Sequence, residues 1–170
     1  MWVTNTLDAT VMRINPQTRE IDGTISLGEE GDARPKAIAV SGEDVWVGDE
    51  LEPSLWRIDA PTGRVVASPG LRGVPTAIAV GGGAVWVVSR AADLVARIDP
   101  ETGSSSTLEV GDGPAGIAVW NGWVWVTSGA DGTVRRIDAA TFVLADTIDV
   151  GGIPEGVAVG SGDVWVAVQA

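Results

Sequence analysis

The chain has 170 residues, 45% of them hydrophobic, with 23 glycines, no cysteine, no histidine and a formal net charge of −12. That length supports one domain with a substantial core. No run approaches the roughly 20 apolar residues that span a bilayer, and without cysteine there is neither a disulfide framework nor a thiolate nucleophile. One lysine, Lys36, and ten scattered arginines offer no clustered cationic surface for a phosphate backbone. A nucleic-acid partner is therefore not expected, and the acidity serves solubility.

Read in chain order, Met1 is followed at once by Trp2-Val3-Thr4-Asn5, with no basic region or cleavage site of a secretory leader. The Trp-Val pair then recurs as Trp46-Val47, Trp86-Val87, Trp125-Val126 and Trp165-Val166, at intervals of 44, 40, 39 and 40 residues. Repeats of about 40 to 45 residues, each holding several short strands, are the mark of propeller blades. Each unit contains four runs bounded by Gly, Pro, Asp and Asn, and no sustained helical stripe is present.

The runs read as strands A to D, from a ring axis outward. Type A covers 37–40, 77–80, 116–119 and 156–159, with small residues where strands converge. Type B is Val-Trp-Val, apolar on both faces and so expected to be covered on both. Type C ends at Ile14, Ile58, Ile98 and Ile137. Type D is more polar, as in 24–27, and suits the rim; Pro69 is expected in the rim strand of the second unit, where an edge tolerates proline. The predicted fold is all-β, a propeller segment of about four four-stranded blades: 2–27 with 156–168 as closing strands, 37–71, 77–110 and 116–150. All belong to one domain, 1–170.

After each C strand comes an Asx residue: Asn15, Asp59, Asp99 or Asp138. Its side chain is expected to cap a tight turn, not to line a ring of catalytic or metal-binding carboxylates. Arg13, Arg57, Arg97 and Arg136, once per blade, are expected to pair with the turn carboxylate or a neighbouring blade. Trp120 and Trp123 flank Asn121-Gly122, the residues of a two-residue hairpin, and their cross-strand packing is the expected role. Trp56 takes the middle position of a C strand.

The segments Trp2-Val3-Thr4-Asn5, Thr10-Val11-Met12-Arg13-Ile14-Asn15-Pro16-Gln17-Thr18 and Thr24-Ile25-Ser26-Leu27-Gly28 closely resemble the YVTN-type β-propeller repeat, with Trp in place of its first Tyr. Later G-x-P-x-G-I-A-V and V-W-V segments extend the resemblance over the whole chain. The blade pattern is also similar to virginiamycin B lyase-type propellers, which implies an eliminative ring opening using a histidine and Mg²⁺. This chain has no histidine, so that implication fails at its central residue. The YVTN resemblance implies an extracytoplasmic location if the N-terminus is truncated.

Without His or Cys, Ser-His and Cys-His catalysis and His-ligated metal sites are excluded. Carboxylate chemistry or an oxygen-ligated Ca²⁺ or Mg²⁺ remains, although no cofactor is expected. One region is locally rich in acid: Gly28-Glu29-Glu30-Gly31-Asp32-Ala33-Arg34-Pro35, a D–A connection longer than the others, and Gly48-Asp49-Glu50-Leu51-Glu52-Pro53, a B–C loop. D–A and B–C loops emerge on one face of a propeller, and loops on a rigid scaffold carry function. The candidate ligand-binding face is thus Glu29, Glu30, Asp32, Arg34, Asp49, Glu50 and Glu52, with Arg72, Arg90, Asp93, Asp112, Asp131 and Glu155.

The expected function is a non-catalytic binding or scaffold module for a protein or small-molecule ligand. The alternatives are a carboxylate and divalent-cation enzyme of lyase or lactonase type, or the sensor propeller of a larger protein. The chain runs from one B strand to another, giving seventeen strands and one B too many for four closed blades. An open arc or half of a larger ring is therefore expected, completed by missing blades or by a second copy in a homodimer.

Overall fold

The computed structural model describes residues 1–28, 32–67 and 69–170. Alternating small, apolar and turn-forming residues produce, among the described residues, seventeen strands in five antiparallel sheets, and every within-sheet connection there joins sequence neighbours. The first sheet is β1 (Trp2–Asn5), β2 (Thr10–Ile14) and β3 (Ile21–Ser26). The second is β4 (Pro35–Ser41), β5 (Asp44–Asp49), β6 (Leu55–Asp59) and β7 (Arg64–Ala67); the third is β8 (Ala77–Gly81), β9 (Ala84–Ser89), β10 (Leu94–Ile98) and β11 (Ser105–Glu109). The fourth is β12 (Pro114–Trp120), β13 (Trp123–Ser128), β14 (Thr133–Asp138) and β15 (Val143–Asp149), and the last is β16 (Ile153–Gly160) with β17 (Asp163–Gln169). Among the described residues, one 3-10 turn, Arg90–Ala92, interrupts the β structure.

The sheets stack face to face, with the innermost strands β4, β8, β12 and β16 packed in sequence. Small residues are needed there: a Cβ on Gly116 of β12 would sit 2.7 Å from the backbone oxygen of Glu155 in the next sheet. Three A strands carry proline at their start, as the first residue of β4 and β12 (Pro35 and Pro114) and the second of β16 (Pro154), and each shows a register shift immediately after it. Proline has no N–H to give the ladder, so a bulge at the strand start accommodates it.

The Val-Trp-Val run divides its side chains between two seams. Val45, Val47 and Ile58 share a cluster with Trp2 of the preceding sheet, Val85, Val87 and Ile98 with Trp46, and Val124, Val126 and Ile137 with Trp86. Each tryptophan thus faces the following blade while its flanking valines face the preceding one. Trp46 and Trp86 are 2% and 0% exposed. Burial of such a residue is the largest single apolar contribution to each seam.

Two expectations are corrected. Pro69 lies beyond β7, which ends at Ala67, because a proline cannot donate to the ladder that would extend that strand. Segment 156–168 does not close the first blade. β16 pairs with β17, and among the described residues no ladder joins either to β1, β2 or β3. Each sheet stacks on its predecessor, so β16 packs on β12 while β1 packs on β4, at opposite ends of the arc. The molecule is an open arc.

Candidate functional site

The turns after the C strands are built as the sequence implies. Asn15 Oδ1 accepts from the amides of Gln17 and Thr18, Asp99 Oδ1 from Glu101 and Thr102, and Asp138 Oδ1 from Ala140 and Thr141. Asp59 Oδ1 accepts from the Thr62 amide at 2.8 Å and from the Thr62 hydroxyl. These bonds favour the ionised carboxylate. Asp59 is held below the usual carboxylate range chiefly by the Thr62 side chain, and Asp99 and Asp138 by the amides of Thr102 and Thr141.

The repeated arginines bridge blades. Arg13, Arg57 and Arg97 each donate through Nη1 to a turn carbonyl one blade further on, at Ala60, Pro100 and Ala140. Their carboxylate partners are not the turn Asx residues. Arg13 pairs with Asp22, Arg57 with Asp44 and Arg136 with Asp146, all on strands adjacent to the C strand. Each guanidinium also lies over a B-strand tryptophan, at 5.8 Å from Trp2, 5.6 Å from Trp46 and 5.7 Å from Trp86. These side chains are occupied in holding the arc together.

The D–A and B–C loops carry the candidate face. Glu29 and Glu30 lie outside the described residues. Asp49 is 2% exposed, and its oxygens accept from the amides of Arg34 at 2.6 Å, Leu51 at 2.7 Å and Glu52 at 3.0 Å. It ties the long D–A connection to the B–C loop. Asp32 and Glu52 are exposed at this edge. Among the described residues, no three carboxylates gather in an arrangement that holds a metal.

A second group orders the loops between the third and fourth blades. Asp93 Oδ1 accepts from Gly113 N, Asp131 Oδ2 accepts from Asp112 N at 3.2 Å, and Asp131 pairs with Arg135 at 2.9 Å. Arg72 reaches Thr107 at 3.4 Å, and Glu155 meets Gln169 at 3.4 Å. The candidate residues are therefore spread along the arc in local pairs.

One place brings two of them together on a concave surface. A groove of about 270 Å³ between the second and third blades is lined by Lys36, Glu50, Val74, Pro75, Thr76, Arg90 and Ala91. Lys36 Nζ is bonded to Glu50 Oε2 at 2.7 Å, leaving that pair neutral. Arg90 is positioned by its own amide, which donates to Thr76 Oγ1 at 2.9 Å; its guanidinium is exposed and has no ion-pair partner among the described residues. The groove thus carries one unneutralised positive charge beside the apolar Val74, Pro75 and Ala91. Lys36 was not singled out from sequence as a site residue. Its signal was that it is the only lysine, placed one residue after a blade-opening proline.

No family model matches the sequence, and no curated protein matches it. Solved structures do. Virginiamycin B lyase from Staphylococcus aureus superposes with a TM-score of 0.84 at 21% identity, over 97% of this chain and 58% of that one. BamB from Moraxella catarrhalis gives a TM-score of 0.73 at 16% identity, over 95% and 50%. A chain of the Mitotic Checkpoint Complex gives 0.78 at 13% identity, over 89% and 48%. This chain spans about half to three-fifths of the length of these proteins, and at such identities the likeness concerns the fold alone: the chain is an arc of a β-propeller.

Proposed function

We propose that this protein is a non-catalytic propeller module that binds an anionic ligand at its loop face, in the groove between the second and third blades. The observation that carries this reading is Arg90. Its guanidinium stands exposed and unpaired at a concave, partly apolar surface, whereas Arg13, Arg57 and Arg97 are committed to turn carbonyls and Arg136 to Asp146. A carboxylate on a compact apolar body, as at the C-terminus of a short peptide, matches a planar cation next to Val74, Pro75 and Ala91. The wider protein charge of −12 opposes anions at long range, so the site selects by local geometry. The carboxylate and divalent-cation enzyme draws no comparable support from the arrangement of its side chains.

The test is calorimetric titration with N-acetylated dipeptides carrying a free C-terminal carboxylate, against the same peptides amidated. The carboxylates should bind more tightly by about tenfold, or 1.4 kcal/mol. Arg90→Glu should erase that preference while Arg72→Glu preserves it. Equal binding of both peptide forms, or no binding at all, would remove this reading.

A further inference from the structure

The arginine that recurs on each C strand has the same seat in the first three blades. Nη1 donates to the turn carbonyl of the following blade, and the guanidinium plane lies over a B-strand tryptophan. The remaining edge, Nε with Nη2, is free to take a carboxylate. Arg57 gives that edge to both oxygens of Asp44, at 2.8 Å each. Arg13 gives Nε to Asp22, and Arg136 gives Nη2 to Asp146. Arg97 is the exception. Among the described residues it has no ion-pair partner, and the hydrogen bond of its side chain is the one to the Ala140 carbonyl, at 3.2 Å.

The third blade lacks a carboxylate at every place where a sister blade keeps one. Asp44 stands two residues before Trp46, and the residue two before Trp86 is Ala84. Asp146 is paired across the sheet with Arg136, and the residue paired with Arg97 is Ser106. Asp22 sits at the register shift between β2 and β3, whereas β10 and β11 pair without a shift. Both altered positions, Ala84 and Ser106, line one cavity of about 210 Å³, together with Arg97, Gly83, Asp99 and Ser104. A Cβ added to Gly83 would meet nothing within 4 Å, so the mouth of the cavity is open. We propose that this cavity binds a small organic monocarboxylate, whose two oxygens take Nε and Nη2 of Arg97 as the Asp44 carboxylate takes those of Arg57.

The guanidinium is held for this task before any ligand arrives. Its bond to Ala140 and its stacking on the fully buried Trp86, at 5.7 Å, fix the plane, and a planar fork matches a carboxylate with two parallel bonds. Charge sets the preference for a single negative charge. In the second blade two carboxylates of the same blade act on Arg57, Asp44 in contact and Asp59 in the turn beyond. Arg97 has the turn residue Asp99 but no counterpart of Asp44, so one bound carboxylate restores the balance of the second blade. A dianion would exceed that balance, beside the Asp99 carboxylate in the cavity wall and within a chain of net charge −12. The cavity is separate from the groove that holds Arg90, and the proposal stands independently of it: Ala84 opens β9, whereas Arg90 follows the other end of that strand.

The test follows the Nε–H resonances of Arg97 and Arg57 in isotope-labelled protein during titration with sodium acetate, against sodium chloride at matched ionic strength. Acetate should move the Arg97 signal saturably, while Arg57, whose edge Asp44 already fills, should stay in place. Ser106 is exposed, so Ser106→Asp should fold as the parent does by circular dichroism; it sets a carboxylate opposite Arg97 as Asp146 stands opposite Arg136. That variant should weaken the acetate response by about tenfold or more, and Ala84→Asp, which copies Asp44, should do the same. Arg90→Glu should leave the response unchanged, and inorganic phosphate should move the Arg97 signal less than acetate does. An Arg97 signal that does not saturate, a parental response in both aspartate variants, or a response lost in Arg90→Glu overturns the site. A phosphate response equal to that of acetate or larger overturns its assignment to a monocarboxylate.

Discussion

Arg57 Nη1 donates to the backbone carbonyl of Pro100 at 2.6 Å, while Nε and Nη2 hold the two oxygens of Asp44 at 2.8 Å each. One guanidinium thus closes a turn of its own blade and ties it to the next, and the Asp44 bond raises its affinity for the proton. Arg57→Met should cost about 1.5 to 3 kcal/mol, the range for hydrogen bonds to charged groups. Arg57→Lys should recover only part of this, because an ammonium cannot reproduce the fork. Urea unfolding of both variants checks this; a fully restored Lys variant would show that charge alone matters.

Trp86 is the centre of the seam between the third and fourth blades. It is fully buried, its Nε1 donates to Gly81 O at 2.9 Å, and its ring meets Phe142 at 5.6 Å between centroids. Trp86→Ala should destabilise the fold by about 3 to 5 kcal/mol through lost transfer energy and a cavity. A melting temperature near that of the parent would refute the assignment of this face to a seam.

Asp49 organises the loop face from beneath. Asp49→Ala leaves the amides of Arg34, Leu51 and Glu52 without their acceptor, a cost of about 1 to 3 kcal/mol, and should raise the exchange rate of those amides selectively. Uniform exchange in the variant and the parent would mean that the loops hold their shape without it.

The turn carboxylates give a signed pH dependence. Asp59, Asp99 and Asp138 have folded-state pKa values below the ordinary one. Their stabilisation is therefore fully present above the unfolded carboxylate value of about 3.9 and is lost as pH falls through the lowered folded values. The first blade already carries the non-titrating version, Asn15. Replacing all three with Asn should flatten the acid limb of stability against pH, measured as a urea midpoint from pH 7 downward; an unchanged limb would place the acid sensitivity elsewhere.

Gly48 marks how closely the second and third blades approach. A Cβ there would lie 2.6 Å from Pro75 Cβ, so Gly48→Ala should cost about 1 to 3 kcal/mol by overpacking and should shift the Pro75 side of the groove. Thermal unfolding of the variant tests it, and parental stability would show that the seam has slack.

The repeat made the blades legible because burial on both faces of a B strand favours Val-Trp-Val, and turn geometry places Asx at a fixed offset with a positive-φ residue four positions on, Gly63 and Gly103 in two blades and Arg19 and Phe142 in the others. The Asn121-Gly122 hairpin follows the same logic: both residues have positive φ, and Trp120 faces Trp123 across it. The partners of the arginines were less legible. Sequence offered the turn Asx as the nearest carboxylate, but its oxygens are already taken by turn amides, so Arg57 turns to Asp44 across the sheet. The groove was harder still. Glu50 and Arg90 stand forty residues apart on different blades, and their approach depends on how one blade stacks on the next, which no local pattern encodes. A lone cation such as Lys36 in an acidic chain carries no local signal that separates it from ordinary surface.

The most direct test of the binding role is backbone amide shift mapping of the labelled protein during titration with N-acetyl dipeptide carboxylates. The account predicts that perturbed amides cluster at 74–76, at 90–91 and around Lys36 and Glu50, and that Arg90→Glu abolishes the cluster. Shifts centred on the Asp93, Asp112 and Asp131 loops, or scattered without a focus, would contradict it.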